Sequence, residues 1–220
     1  MSRLFTQQKF AVFLASMLII SFFIISTNAI NAEPINEKWS PAEKKLLSEL
    51  SNYLQNLQGL ESRFIQISPQ GETVEGQLLY RHPKQLKFTY DAPQTQIIKV
   101  DGGTLYVQDA PGETPATYPV SATPLPLFFD HDTPLVDQAA LVSLIRSGGL
   151  VELLLRDPKG ETPGRLYMAL EISPPVLRGW RVIDAQGQTT SVLLRDLVHR
   201  NDIDDQELKL DYRRKRGPRR

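Results

Sequence analysis

The sequence predicts a mainly β protein of the α+β class, in which antiparallel strands carry a few helical segments on one face. Three observations support this class. Apolar and polar residues alternate with period two in several short stretches, as around Leu86, Phe88 and Tyr90, which is typical of strands with one buried face. Turns rich in Gly, Pro and Asp separate these stretches. Leucines at helical spacing precede the first of them.

Residues 1–32 have the pattern of an export signal. Arg3 and Lys9 form a basic start, residues 10–25 are nearly all apolar, and small residues follow. We expect cleavage after Ala29 or Ala32. The alternative is an uncleaved membrane anchor, because the apolar run approaches the length that spans a bilayer. The chain has no cysteine, so neither lipidation at a signal-peptide cysteine nor a disulfide is expected.

The chain has 25 basic and 25 acidic residues, but their distribution is uneven. Residues 1–32 contain two of the basic residues and residues 213–220 contain six, so 17 basic and all 25 acidic residues fall between them, a net charge of about −8. An acidic body argues against a nucleic-acid surface. We expect residues 33–212 to form one domain. Residues 213–220 are expected to be a disordered, solvated tail, with contact to anionic lipid or an acidic partner as the alternative.

A helix is predicted to begin at residue 41. Ser40 and Glu43 have the spacing of a capping box with Pro41 at the first helical position, and Gly59 ends the pattern. Such a helix would have one apolar face, which either covers a sheet or closes a pocket; the residues alone favour the first. The leucines of this face are Leu46, Leu47, Leu50, Leu54 and Leu57.

The strands are expected to form two meanders. The turn at residues 101–103 contains Asp-Gly-Gly and the turn at 147–149 contains Ser-Gly-Gly, and hairpins need such residues because they tolerate positive φ. In the first strand, Phe64 and Gln66 share one face, but the sequence leaves open which face is buried. The predicted strands, about eleven, are 63–67, 73–80, 86–90, 97–100, 105–107, 141–146, 150–156, 165–172, 179–184, 188–195 and 207–212.

Residues 110–134 are rich in proline, which excludes a regular central strand. A short helical turn over 126–129 is the regular element that this segment permits. Phe128 and Phe129 must be buried, because exposing a large apolar side chain costs about 1.5 to 3 kcal/mol. They could plug a core or form part of a lid over a cavity.

Signals for catalysis or metal binding are weak. The three histidines, His82, His131 and His199, are far apart in the sequence, and no nucleophile or phosphate-binding motif occurs. His131 and Asp132 are too few to predict a metal site. We therefore expect no enzyme activity and no cofactor.

Several ordered segments resemble one known family. RHPKQLKFTYDAP, IIKVDGGTLYVQD and YPVSATPLPLFF, followed by RGWRVIDAQGQTTSVLLRDL, are similar to the outer-membrane lipoprotein carrier (LolA) family. Its pattern comprises a basic residue with Arg-Pro, an aromatic strand, an Asp-Gly turn, a Thr-Pro-Leu run and a Gly-Trp hairpin. Phe64 and Gln66 match a further element of that family. The resemblance covers about residues 40–212.

This resemblance implies an incompletely closed antiparallel β-barrel with a helical lid over a hydrophobic cavity. It implies a monomeric periplasmic carrier that binds lipoprotein acyl chains and ferries lipoproteins from the inner to the outer membrane. The implied donor is an ATP-driven lipoprotein-releasing complex of the inner membrane, and the receiver is an outer-membrane acceptor or that membrane itself. Two alternatives remain open: a carrier of another amphiphile, such as a glycolipid or hopanoid-like lipid, and a lipoprotein-sensing interaction module of related fold.

Residue alternation and family position together assign a candidate site, although a filled core is the alternative for each residue. His82 stands where the family commonly has the arginine implied to latch the lid, so a weaker latch is predicted there, while Arg81 should point to the opposite face. The predicted lid residues are Leu50, Leu54, Leu127, Phe128 and Phe129. The predicted acyl-chain-binding wall comprises Leu78, Tyr80, Leu86, Phe88, Tyr90, Ile98 and Val100.

Overall fold

The structure is a computed structural model that describes residues 38–212. The predicted export signal at 1–32 and the predicted basic tail at 213–220 lie outside the described residues. The described chain contains eleven strands in one antiparallel sheet, together with two α-helices. This composition confirms the predicted fold class.

The strands form two meanders of similar size. The first consists of β1 (Gly59–Ile67), β2 (Thr73–Arg81), β3 (Gln85–Tyr90), β4 (Ile97–Asp101), β5 (Thr104–Gln108) and β6 (Ala116–Pro119). The second consists of β7 (Leu141–Ser147), β8 (Leu150–Leu155), β9 (Arg165–Ile172), β10 (Pro175–Ile183) and β11 (Thr189–His199). Gly102 and Gly148 both have φ of 59° in their hairpin turns, as the turn chemistry predicted.

Pairing between β1 and β11 joins the two meanders into one sheet. The strand order is β6-β5-β4-β3-β2-β1-β11-β10-β9-β8-β7, and Phe64 of β1 lies opposite Leu194 of β11. Within residues 38–212, the edge strands β6 and β7 do not pair with each other. The sheet is therefore an incompletely closed barrel, as predicted.

Most of the strands bury one face. In β3, Leu86, Phe88 and Tyr90 are buried, whereas Lys87 and Thr89 are partly exposed. We call the buried side the inner face and the opposite side the outer face. In β1, Phe64 and Gln66 belong to the inner face, which answers the question that the sequence left open.

Helix α1 (Pro41–Gln55) covers the inner face at β9 and β10. Its capping box forms as predicted, because the Ser40 backbone N–H donates to the Glu43 carboxylate at 2.8 Å and the Glu43 N–H donates to Ser40 Oγ at 3.3 Å. The Leu177 N–H of β10 donates to the Tyr53 hydroxyl at 3.1 Å. Four leucines of the helix are buried, namely Leu46, Leu47, Leu50 and Leu54.

The segment between the meanders leads from one edge of the sheet to the other. It contains a 3-10 turn, Val120–Ala122, and helix α2, Leu125–Phe129, which contacts β9. Helix α2 confirms the helical turn predicted over 126–129. Strand β6 was not predicted from the sequence; it is a four-residue edge strand. Edge strands tolerate proline because one of their sides forms no hydrogen bonds with a neighbouring strand.

The strand predicted over 207–212 is wrong. Within the described chain, this stretch forms only an isolated bridge between Tyr212 and Gly112, and it crosses the outer face of the first meander. Lys87 Nζ donates to the carbonyl oxygens of Glu207 at 2.7 Å and Lys209 at 3.0 Å. Leu208 is buried. The alternating pattern thus reflects packing against a sheet surface and not pairing within the sheet.

Candidate functional site

All seven predicted wall residues lie together on the inner face. Each is at most 7% exposed, and they sit on three adjacent strands, β2 to β4. Cross-strand partners bring them into rows: Leu78 lies opposite Phe88, and Phe88 opposite Ile98. Tyr80 and Val100 both lie opposite Leu86. Their assignment to acyl-chain binding stays a prediction, whereas their place in one continuous apolar surface is a property of the fold.

Of the predicted lid residues, Phe128 and Phe129 contact this surface through Tyr80. Leu50 and Leu54 of α1 are buried, as are Phe128 and Phe129 of α2, while Leu127 is half-buried. We define the lid as α1, α2 and the loop 130–138. The Phe128 ring centroid lies 4.9 Å from that of Trp180 on β10 and 5.8 Å from that of Tyr80 on β2. Helix α2 therefore contacts inner-face residues of both meanders.

Strand β1 and the second meander also contribute to the inner surface, and no predicted wall residue lies on them. Trp180 of β10 lies 6.2 Å from Phe88 between ring centroids, and Phe64 of β1 lies 5.1 Å from Phe88. Period-two alternation marks such residues as buried, but their place beside the wall of β2 to β4 depends on the pairing of β1 with β11. The further inner-face residues are Val151, Leu153, Leu155, Leu166, Met168, Leu170, Leu177, Val192 and Leu194.

Two buried polar side chains of the first meander form a hydrogen bond with each other. The Tyr90 hydroxyl donates to Gln66 Oε1 at 2.8 Å. Burial raises the pKa of Tyr90, so the phenol stays protonated and remains a donor. This pair explains how Gln66 is accommodated on an apolar face.

A second polar group lies where the lid meets the wall. The Tyr80 hydroxyl and His131 Nδ1 are 3.3 Å apart, and the His131 ring also packs edge-on against Phe128. Burial, together with the nearby His82, lowers the pKa of His131 to about 4. Within the described chain, His82 Nδ1 and His131 Nε2 are buried without a hydrogen-bond partner. We call Tyr80, His82 and His131 the histidine cluster.

His82 is not on a strand, because β2 ends at Arg81 and His82 begins the following turn. Its backbone N–H donates to the carbonyl of Gln58 at 2.8 Å. Arg81 points to the outer face as predicted, where it donates to the carbonyl of Ile203 at 3.0 Å and pairs with Asp205. The role of His82 as a lid latch stays a prediction.

A small number of hydrogen bonds fasten the loop 130–138. The Leu135 N–H donates to Ser51 Oγ of α1 at 2.8 Å, and Gln55 Nε2 donates to the carbonyl of Asp132 at 3.3 Å. Gln138 Nε2 donates to the carbonyl of Asp130 at 2.6 Å. The loop is thus attached to α1, while α2 is held mainly by its aromatic side chains.

Within residues 38–212, no group of three or more His, Cys, Asp or Glu side chains is arranged to hold a metal ion. None of the helices in the same range has the length and apolar character needed to cross a bilayer.

Comparison with known proteins identifies the family to which this chain belongs. The family model described as outer membrane lipoprotein carrier protein LolA matches residues 55–211, which is most of the chain. The chain is a member of this family.

Individual relatives are distant in sequence. The outer-membrane lipoprotein carrier protein of Azotobacter vinelandii is 25% identical over 160 residues, covering 69% of this chain and 77% of the relative. That of Pseudomonas entomophila is 23% identical over 180 residues, covering 77% and 86%. The crystal structure of a LolA superfamily protein from Nitrosomonas europaea is 13% identical, with a TM-score of 0.42 over 76% of this chain and 97% of the other.

Proposed function

We propose that this protein is a periplasmic carrier that binds the acyl chains of lipoproteins and ferries them from the inner to the outer membrane. The observation that carries the proposal is the continuous apolar inner face of an incompletely closed sheet, covered by helices α1 and α2, in a chain of the LolA family. Residues 1–32 would direct export and then be removed.

The energetics of acyl chains explain why such a carrier is needed. Each methylene kept from water is worth about 0.8 kcal/mol, so a lipoprotein with several long chains would lose on the order of tens of kcal/mol in aqueous solution. An apolar surface holds the chains by nondirectional contacts. One carrier can therefore accept many lipoproteins that differ beyond their lipid.

Cargo binding requires helix α2 to move. In the structure, Phe128 and Phe129 are buried against the wall, so acyl chains would occupy the surface that these side chains now cover. The exchange replaces one set of apolar contacts by another, which keeps binding reversible. Helix α2 has five residues, too few to be stable without its packing partners, and it suits a segment that must be displaced.

The proposed transport also needs a donor and a receiver. The donor would be an ATP-driven lipoprotein-releasing complex in the inner membrane, and the receiver would be an outer-membrane acceptor or the outer membrane itself. Family membership supports these partners. The carrier would act as a monomer, since each chain supplies a whole wall and lid.

A binding titration tests the proposal. The mature protein with Trp39→Phe keeps Trp180 as its single tryptophan, and Trp180 contacts the lid through Phe128. A triacylated lipopeptide should change Trp180 emission and saturate at one per chain in native mass spectrometry. The same peptide without acyl chains is the control. No saturable change with the lipopeptide, or an equal change with the control, would contradict the proposal.

A further inference from the structure

The histidine cluster contains polar atoms that the interior does not satisfy. His131 is 4% exposed and Tyr80 is fully buried. His131 Nε2 and His82 Nδ1 find no hydrogen-bond partner within residues 38–212. Buried polar atoms in native proteins are nearly always paired, and each exception calls for an explanation.

The rings that pack against Tyr80 and His131 belong to α2, while Asp130 and Asp132 lie near the imidazole on its own loop. The Tyr80 ring packs against Phe128 at 5.8 Å and against Phe129 at 6.4 Å between centroids. The His131 ring lies 5.7 Å from Phe128. Tyr80 of the wall and His131 of the loop 130–138 thus meet at a polar point beside helix α2.

The hydrogen-bond donors and acceptors of Tyr80 and His131 determine which chemical group the pair can bind. A neutral imidazole has one N–H and one acceptor nitrogen. If the Tyr80 hydroxyl donates to His131 Nδ1, the N–H of Nε2 is left over. If Nδ1 instead donates to Tyr80, the phenolic O–H is left over. In both tautomers the pair keeps one spare donor, which fits an acceptor-only group such as a carbonyl oxygen.

The position of His82 indicates how a ligand would be oriented in the site. It is half-buried, and its Nδ1 is buried while the residue as a whole still reaches solvent. The apolar wall continues inward from the cluster through Leu78 and Phe88. A ligand whose carbonyl lies at the cluster would thus place its alkyl chain along the wall and its polar end toward the edge.

We propose that Tyr80 and His131, beside His82 at the end of β2, form a polar subsite that hydrogen-bonds the ester or amide carbonyl of an acyl chain held in the interior. The inference rests on the proposed carrier function and extends it, because it assigns recognition of the acyl linkage in addition to the hydrocarbon. An apolar wall without polar groups would not distinguish an acyl chain from an alkyl chain of equal length.

A matched pair of lipids tests the subsite without any substitution in the subsite itself. 1,2-Dioctanoylglycerol has two ester carbonyls, and 1,2-di-O-octylglycerol has ether methylenes in their place. The ether is the more apolar ligand, so a purely hydrophobic interior would bind it more tightly. The subsite predicts that the native protein prefers the ester by about 3- to 10-fold, the range expected for one hydrogen bond. The measurement is a titration of Trp180 emission in the Trp39→Phe background.

Variants then locate the preference. His131→Phe removes the nitrogens while keeping a ring in contact with Phe128, and it should abolish the preference for the ester. The matched control is His199→Phe, since His199 is exposed at the end of β11. This control should keep the full preference.

The outcomes separate the two proposals. Equal binding of ester and ether, or tighter binding of the ether, by the native protein overturns the subsite while leaving the carrier function intact. An ester preference that survives in His131→Phe also overturns it. If neither lipid binds and the triacylated lipopeptide fails as well, the carrier function and the subsite are both refuted.

Discussion

Replacing His131 by glutamine should make the folding stability of the protein less sensitive to acid. His131 is 4% exposed, and burial together with the nearby His82 lowers its pKa to about 4 from 6.5. The groups around the ring are Tyr80 and His82 on the wall side, the Phe128 backbone, and Asp130 and Asp132 on its own loop. The Phe128 backbone and the two carboxylates oppose the effect of burial. The imidazole is therefore neutral in the folded protein at neutral pH.

The sign and size of the effect follow from proton linkage. Between pH 6.5 and about 4 the unfolded chain binds a proton at His131 that the folded chain does not, so folding stability falls as the pH falls through this window. Each pH unit is worth about 1.4 kcal/mol. The loss attributable to His131 thus reaches roughly 3 kcal/mol near pH 4. Above pH 6.5 this contribution is constant.

Urea unfolding at several pH values measures this contribution. The free energy of unfolding should fall between pH 6.5 and 4 by about 3 kcal/mol more in the native protein than in His131→Gln. Carboxylates also titrate in this range, but they do so in both proteins and cancel in the difference. His199→Gln, the same substitution at an exposed histidine, should follow the native curve. Parallel curves for native protein and His131→Gln would refute the assignment of His131 as a buried neutral group.

Three further substitutions have expected outcomes in the same unfolding assay. Phe128→Ala should cost about 3 to 5 kcal/mol, because its ring packs against Trp180 and Tyr80, whereas Leu127→Ala at a half-buried position should cost clearly less; equal losses would contradict the described lid. Gly59→Ala should destabilise by about 1 to 3 kcal/mol, since a Cβ there would lie 2.2 Å from the carbonyl oxygen of Arg200. A Cβ at Gly103 would have no atom within 4 Å, so Gly103→Ala should be nearly neutral. A similar loss of stability at both glycines would argue against the close approach at Gly59. Ser40→Ala should cost about 1 kcal/mol through loss of the N-cap, and an unchanged unfolding midpoint would count against the capping box.

Local chemistry made most of the fold predictable. Period-two alternation identified the strands because each buries only one face, and Gly-containing turns at residues 102 and 148 adopt the positive φ that hairpins need. The capping box at Ser40 likewise involves only neighbouring residues. Such signals lie within a few residues of the element they specify.

The errors concern long-range packing. Leu208 and Leu210 alternate as in a strand, but their segment lies on the outer face, where Lys87 and Gln108 accommodate its carbonyl groups. Nothing in the local sequence distinguishes burial against a sheet surface from burial within a sheet. Strand β6 was missed for the opposite reason, because its edge position tolerates the prolines that argued against a strand.

The candidate site was only partly predictable. Alternation placed the wall residues of β2 to β4 correctly on one face, but the joining of β1 to β11, which adds the second meander, depends on pairing between strands far apart in the chain. The contact between Tyr80 and His131 joins residues 51 positions apart. In the sequence, His131 and Asp132 are too few to predict a metal site, and only the fold reveals the position of His131 between lid and wall.

A carrier of lipoproteins should release them from spheroplasts into solution. Spheroplasts are incubated with and without the purified mature protein, and the supernatant is examined for soluble complexes. We expect a triacylated lipoprotein bound to this chain in a one-to-one complex, found only when the protein is added. An unchanged supernatant, with a smaller lipid bound to the protein in native mass spectrometry, would contradict the claim and assign the interior to another amphiphile.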